Sequence, residues 1–427
     1  MKVLHLIDPH APGGGACTLR LLAEALERLR SVHQDVLLLG NRAHRDLAQR
    51  CGVNPIGLIC PPLNHPALAR GAVARTIGAR EAAQGRYDLI HAWTPQSAIV
   101  AVMAAPQRPR IVTLAVGPVS GIETQVVSML MDRHATPVLA SSSAVRREYL
   151  SLGLDRRLMS VLPPAVNPES VESEDRAALR RRWGIPGQAF VIGSLSEPTN
   201  WVDARTAISV VTRVAATGRE VRLLLHHSAA RRVEAERWAA RLELRSLMVM
   251  DDAAAEPWRV VSGLDAALLF GGELNSMDLS DLGSPLAALT GGGRRLRPMP
   301  GIMPLLWAMS AAVPVIAEAS DAVKDAVVDG QSGLLVDQGD VNAAADRIIR
   351  VHDDATIAGR IGMQARAAVQ RRFHVSAYCV RLKEAYARLM SGRTVRVGEL
   401  DHPLVERFER SSRTWADVEK SAVRQEE

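Results

Sequence analysis

The sequence predicts an α/β protein built from two tandem doubly wound parallel sheets. Three observations carry that expectation. Short apolar runs rich in Val, Ile and Leu alternate with helix-length segments along most of the 427 residues. The alternation stops once, at a proline-rich stretch, and then restarts. Hydrophobic residues make up 47% and charged residues 23%, a mix that excludes disorder, collagen and coiled coil.

In chain order, residues 3–7 read as a buried strand, followed by a glycine turn and a helix over 18–30. Further strands are expected at 35–39, 56–59, 89–92, 110–114 and 138–141, each separated by a helix-length segment. Strands this short and apolar, joined by helices, are parallel strands covered on both faces. Leu162-Pro163-Pro164-Ala165-Val166-Asn167-Pro168 breaks the rhythm, since three prolines give an extended connection without ladder donors. The first domain is therefore expected over residues 1–165. In the second, over 166–375, strands are expected at 190–195, 221–225, 247–250, 266–270, 314–317 and 333–336. Residues 271–300 are polar and glycine-containing, a length that inside a compact domain marks a functional or disordered segment. Residues 393–427 read as a polar tail, and no internal repeat of 20–50 residues stands out. Two such domains define a cleft, and ligands of these sheets sit beyond the carboxyl ends of the strands.

Charge and cysteine usage narrow the function classes. The net charge is +6, yet only four of the 52 basic residues are lysine (Lys2, Lys324, Lys383, Lys420). Arg70, Arg75 and Arg80 lie five residues apart on an expected helix, about 140° per step, so they do not share a face. No basic stripe interleaved with aromatics appears, which argues against nucleic acid. Cys17, Cys51, Cys60 and Cys379 fit neither a disulfide framework nor a zinc knuckle. The apolar run at the N-terminus is broken at once by Asp8 and Pro9, unlike a signal peptide. No unbroken apolar stretch reaches the roughly 18 residues of a membrane span. The expected place is the cytoplasm, with at most a peripheral contact at the inner face of the membrane.

Four segments carry a resemblance: MKVLHLIDPHAPGGGACTLRLLAEAL; YDLIHAWTPQSAIVA with RIVTLAVGP; VLASSSAVRREYLSLGLDRRLMSVLPPAVN; and PGIMPLLWAMSAAVPVIAEASDAVKDAVVDGQSGLLVDQGDVNAAADRI, which continues into RRFHVSAYCVRLKEAYARLM. In order and spacing these resemble the family 4 (group 1) retaining glycosyltransferases of the GT-B fold, over most of residues 1–392. The resemblance implies an acceptor-side first domain, a nucleotide-sugar-side second domain and a final helix over 376–392 that crosses back. It implies a nucleotide-sugar donor as co-substrate, a glycan or lipid acceptor, and no bound metal or other cofactor.

The residues that would do the work depart from the family pattern. Gly13, Gly14 and Gly15 stand at the family's phosphate turn, where bare N–H groups and a helix N-terminus meet a diphosphate. Any strand-to-helix turn tolerates glycine, so the structural reading has equal weight. Where the family has a histidine near the sugar, this chain has Ala115. Where it places an arginine and then a lysine, the nearest equivalents are Glu197 and Trp201, and a carboxylate there repels a diphosphate. After the next strand come His226 and His227, without a carboxylate at metal-ligand spacing. The two glutamates of the family's E-x7-E pattern, anchored on Pro304 and Leu305, fall on Met299 and Trp307. Neither accepts a hydrogen bond from a sugar hydroxyl as a carboxylate does. The glycine pair that follows is replaced by Asp321 and Ala322. Arg294, Arg295 and Arg297 follow three glycines and are candidates for replacing the missing cations; a solvated basic loop is the blander alternative. His5 and His91 read as core histidines, and Trp93 and Trp307 as stacking or gap-filling residues.

Two readings follow. One is a divergent glycosyltransferase whose hexosyl transfer is weak or depends on a protein partner. The other is a pseudo-enzyme serving as a binding or regulatory subunit, for which an intact transferase encoded beside it would argue.

Overall fold

The computed structural model describes residues 1–9, 15–61, 66–117, 121–171, 175–195, 201–225, 236–237, 239–241, 243–251, 256–270 and 301–391. The first sheet has seven strands in the order β3-β2-β1-β4-β5-β6-β7, all parallel. They are β1 (Lys2–Ile7), β2 (His33–Leu39), β3 (Gly57–Ile59), β4 (Leu89–Ala92), β5 (Arg110–Leu114), β6 (Val138–Ala140) and β7 (Met159–Val161). Around them run α1 (Ala16–Arg28), α2 (Arg42–Arg50), α3 (Arg70–Gln84), α4 (Pro95–Ala104), α5 (Gly121–Arg133) and α6 (Ser143–Ser151).

The second sheet has six parallel strands ordered β10-β9-β8-β11-β12-β13. Its strands are β8 (Phe190–Ser194), β9 (Val221–Leu225), β10 (Met248–Met250), β11 (Ala266–Leu269), β12 (Val315–Glu318) and β13 (Leu334–Val336). The labelled helices are α7 (Arg176–Arg182), α8 (Trp201–Ala216), α9 (Met303–Ser310), α10 (Asp321–Ala326), α11 (Val341–Asp353), α12 (Ala355–Arg372) and α13 (Val375–Met390). Strand order reverses between β1 and β4 and again between β8 and β11. Those reversals are the switch points where such sheets hold ligands.

Period-two alternation divides the strands between separate cores. Leu4 and Leu6 of β1 join Val73 of α3 and Ala98 of α4 on one face, while Val3 and Ile7 point to the other. That second face does not end with its own domain. One continuous buried cluster links Val3, Ile111 and Leu139 of the first sheet, Leu382 and Tyr386 of α13, and Val191, Leu224 and Val315 of the second sheet. The two domains therefore share a core.

The two chain crossings between domains run side by side. Val166 N–H donates to Phe373 O (3.0 Å) and Val375 N–H to Val166 O (3.1 Å). Beside them, buried Glu24 of α1 accepts from Asn167 Nδ2 and Ser170 Oγ while pairing with Arg20 and Arg28. Its charge thereby ties the linker to the first domain.

α13 lies on the first domain, and one polar contact fixes it there. His5 and His91 are register partners on β1 and β4, both wholly buried. Tyr386 OH bonds His91 Nδ1 at 2.6 Å, and His91 Nε2 bonds Thr113 Oγ1 at 2.8 Å. Trp93 Nε1 donates to His5 Nδ1 (3.0 Å), which puts the His5 proton on Nε2, facing Gln34 Oε1 at 3.0 Å. Burial holds both imidazoles neutral, lowering His5 to about 4 and His91 well below its ordinary value. Both are core histidines, as the alternation of their strands suggests. Tyr386→Phe leaves a buried His91 nitrogen unpaired. It is expected to cost about 1–3 kcal/mol, read as a lowered urea midpoint at unchanged slope.

Candidate functional site

Segments that leave the carboxyl ends of β5 and β6 meet the entry to α9 and the helix after β12 across the domain junction, so the candidate site is sought among the residues that leave the strands. On the first domain, Asp8 and Pro9 leave β1 and Gly15 begins α1 as its extended N-cap residue (φ −66°, ψ −165°). No side chain caps α1 and its first turn carries no acidic residue. Gly13 and Gly14 lie outside the described residues. After β4, Thr94 caps α4 through a reciprocal pair with Ser97 (3.2 and 3.0 Å) and Pro95 sits in the first turn. After β5, Ala115 offers a methyl group and a carbonyl, and that carbonyl accepts from Ser141 Oγ at 2.8 Å. Neither can exchange a proton with a substrate.

On the second domain, β8 ends in buried Ser194 and Leu195. Glu197 lies outside the described residues, as do the side chain of Trp201, which opens α8, and His226 and His227 after β9. Glu318, at the end of β12, is buried, and its Oε1 accepts from Gly339 N at 2.9 Å. Asp321 and Ala322 form the first turn of α10, capped by Ser320.

The helix α9 decides the character of this side. All eight of its residues are buried, Pro304 and Leu305 among them. Pro304 lies in its first turn, where a missing N–H costs nothing. Trp307 is 1% exposed and packs at 54° on Trp258, itself 2% exposed, with ring centroids 5.4 Å apart. The Arg20 guanidinium of α1 stands 5.7 Å above the Trp258 ring, so an arginine of the first domain meets the aromatic pair of the second. Trp307 Nε1 has no hydrogen-bond partner, so its place is held by packing. Next to α9, a Cβ added to Gly301 would lie 3.9 Å from Val116 Cγ1. The entry to α9 and the exit from β5 therefore meet across the junction.

Across the junction the structure thus brings Val116, next to Ala115, to Gly301, three residues before Pro304, while Gly15 opens α1 on the first domain. Met299, Arg294 and Arg295 lie outside the described residues. Sequence reasoning missed Trp258 and Arg20. A lone tryptophan in a short irregular segment gives no periodic signal, and the arginine reads as one of many on helix surfaces. Among the described residues no group of three or more His, Cys, Asp or Glu is placed to hold a metal ion, and no helix is long and apolar enough to cross a membrane.

Comparison with known proteins agrees with this frame. Residues 12–170 match the model described as Glycosyltransferase Family 4, and residues 298–354 match Glycosyl transferases group 1. Sequence comparison with curated proteins gives no match. Among solved structures, HepE from Anabaena in complex with UDP-glucose is similar with a TM-score of 0.70 at 20% identity, covering 91% of this chain and 99% of that one. A sucrose-phosphate synthase from Thermosynechococcus elongatus has a TM-score of 0.65 at 18% identity, with 92% and 100% covered. A glycosyltransferase from Rickettsia africae has 0.66 at 14% identity, with 91% and 98% covered. Two facing parallel-sheet domains with these neighbours define a GT-B protein. The chain belongs to the family 4, group 1 glycosyltransferases.

Proposed function

We propose that this chain takes a nucleotide-sugar in the junction between its domains and transfers the hexose to a glycan or lipid acceptor only weakly, or only with a protein partner. The observation that carries the proposal is Trp307, a buried indole where the family's second glutamate stands. An indole N–H donates and never accepts, so the donor's hydroxyls lose a carboxylate partner. Ala115 removes a second polar group from the sugar side. For the diphosphate this reading uses the N-terminus of α1 with the glycine run Gly13, Gly14 and Gly15, and Arg294, Arg295 and Arg297 as replacement cations. The similarity to HepE, whose complex holds UDP-glucose, supports a nucleotide-sugar as the ligand class.

Transfer by a retaining enzyme develops positive charge on the sugar and negative charge on the leaving diphosphate. Each lost stabilising group costs on the order of 10²–10³ in turnover. Nucleotide release from UDP-, GDP- and ADP-hexoses by the isolated chain is expected below about 0.1 s⁻¹, against the roughly 10 s⁻¹ typical of enzymes. Ordinary turnover without a partner would sink the proposal. The pseudo-enzyme reading draws on one observation, the buried cluster that runs through the junction and includes Trp258 and Trp307. On that reading the folded chain binds no nucleotide-sugar at all.

A further inference from the structure

The two domains also meet through α6 of the first and α10 of the second, the helices that follow β6 and β12. Ser143 opens α6, and both its N–H (3.2 Å) and its Oγ (2.8 Å) donate to Asp325 Oδ2 of α10. A carboxylate from one domain thus caps a helix N-terminus of the other. Arg147, one turn along α6, pairs with Asp321 of α10. Arg372, at the end of α12, donates to the backbone carbonyl of Asp325 and fixes α10 from behind.

The neighbour of Arg147 does not share in this pairing. Glu148 is half-buried, and its Oε2 is shut off from solvent without a hydrogen-bond partner. An ionised carboxylate in that position is desolvated and only partly offset by the charge of Arg147, and Asp321 adds a like charge from the other domain. The charged groups that act on Glu148 are Arg147 on α6 and Asp321 on α10; α6 also carries Arg146, α10 carries Lys324 and Asp325, and Arg372 reaches α10 at the Asp325 carbonyl. β6 and β7, which also pack on α6, carry none.

We propose that the α6–α10 contact is a proton-linked clasp: uptake of a proton by Glu148 favours the closed arrangement of the two domains, and its loss loosens them. Burial raises Glu148 to about 7; Arg147 opposes the rise, and Asp321 adds to it by less. Burial likewise raises Asp325, against its bonds from Ser143. The direction follows from linkage. A carboxyl whose affinity for protons is higher in the closed form binds more protons there, so closure strengthens as pH falls through about 7. It weakens as pH rises past that value. With an open-form value near the ordinary 4.5, the ratio of closed to open changes up to about tenfold between roughly pH 6 and 8. Solvent screening of a half-buried group makes that figure an upper bound.

The test is hydrogen exchange of the full-length protein across the first turn of α6 and across α10, corrected for the intrinsic pH dependence of exchange. In the wild type, protection of these segments is expected to fall up to about tenfold from roughly pH 6 to 8. Glu148→Gln, which cannot ionise, should hold high protection at both ends of the range. Asp321→Asn, which removes the like charge but leaves Glu148 titratable, should shift the midpoint to lower pH. A wild type without pH dependence, or a Glu148→Gln protein that follows the same course as the wild type, would overturn the clasp. So would an Asp321→Asn midpoint at or above that of the wild type. A purely structural Glu148 predicts a uniform change in protection at every pH, which the variant separates from the loss of slope.

Discussion

Replacing Trp307 with alanine is expected to destabilise the protein by about 3–5 kcal/mol. The side chain is buried on the wholly buried helix α9 and rests on Trp258, so its removal opens a large cavity between rigid neighbours. Because Trp307 Nε1 makes no hydrogen bond, the loss is one of packing alone. Trp307→Phe should therefore cost much less, about 1–2 kcal/mol, since it keeps most of the ring and removes an unpaired donor. Trp307→Glu, the residue that the family resemblance implies here, should cost several kcal/mol, because it buries a carboxylate against Trp258 while the nearby Arg20 already pairs with Glu24. Urea denaturation of the three variants gives the order Phe, then Ala and Glu together. An alanine variant within about 1 kcal/mol of wild type would mean that Trp307 borders open space.

Gly362→Ala is expected to cost about 3 kcal/mol or more, although it adds one methyl group. A Cβ at Gly362 in α12 would stand 2.0 Å from the carbonyl oxygen of Ala312, just after α9. The obstacle is backbone and does not move aside as a side chain does. Ala312 sits at φ 58°, in the left-handed region, pinned by its N–H to Met309 O and by Val313 N–H to Ala308 O, both at 3.0 Å. The two helices must then separate, and α9 carries Trp307 with it. Gly359, one turn earlier on α12, has nothing within 4 Å of an added Cβ. Gly359→Ala should stabilise by about 0.8–1 kcal/mol through helix propensity alone. Thermal unfolding of the pair checks the account, and equal shifts for both would contradict it.

The sheets were readable in the sequence because burial on both faces leaves little freedom of composition. β1, β4 and β5 are buried along nearly their whole length and appear as short apolar runs. β7 (Met159–Val161) went unread, since its three residues merge with the proline-rich connection that follows. The charge reading of Arg70, Arg75 and Arg80 also holds: α3 buries Val73 and Ile77 and spreads those arginines around its other sides. Histidines in strands were legible for the same reason, as His5 and His91 alternate with residues that must be inside.

The site was legible only as positions. Order and spacing along the chain align Ala115 and Trp307, by resemblance, with polar positions of the family; in the fold Ala115 precedes Val116, which meets Gly301, and Trp307 lies on the buried α9. What fills the space around them was not legible. Trp258 meets Trp307 through a fold that brings two irregular segments together, and neither has a period. The contacts that join the domains are more remote still. Ser143 and Asp325 are separated by 182 residues, and each reads locally as an ordinary helix-end residue. Glu24 similarly reads as a solvated helix residue, while in the fold it is buried against the linker.

The central proposal is that the junction is a nucleotide-sugar site in which the buried indole of Trp307 stands at the position where the family resemblance implies a carboxylate. Calorimetric titration of the full-length protein with UDP, GDP, ADP and their hexose conjugates tests it most directly. The account predicts micromolar binding of one nucleotide-sugar, weakened at least about tenfold by Gly14→Val or by alanine at Arg294, Arg295 and Arg297 together. No heat from any member of the panel, with the protein folded, would contradict it and leave the pseudo-enzyme reading in its place.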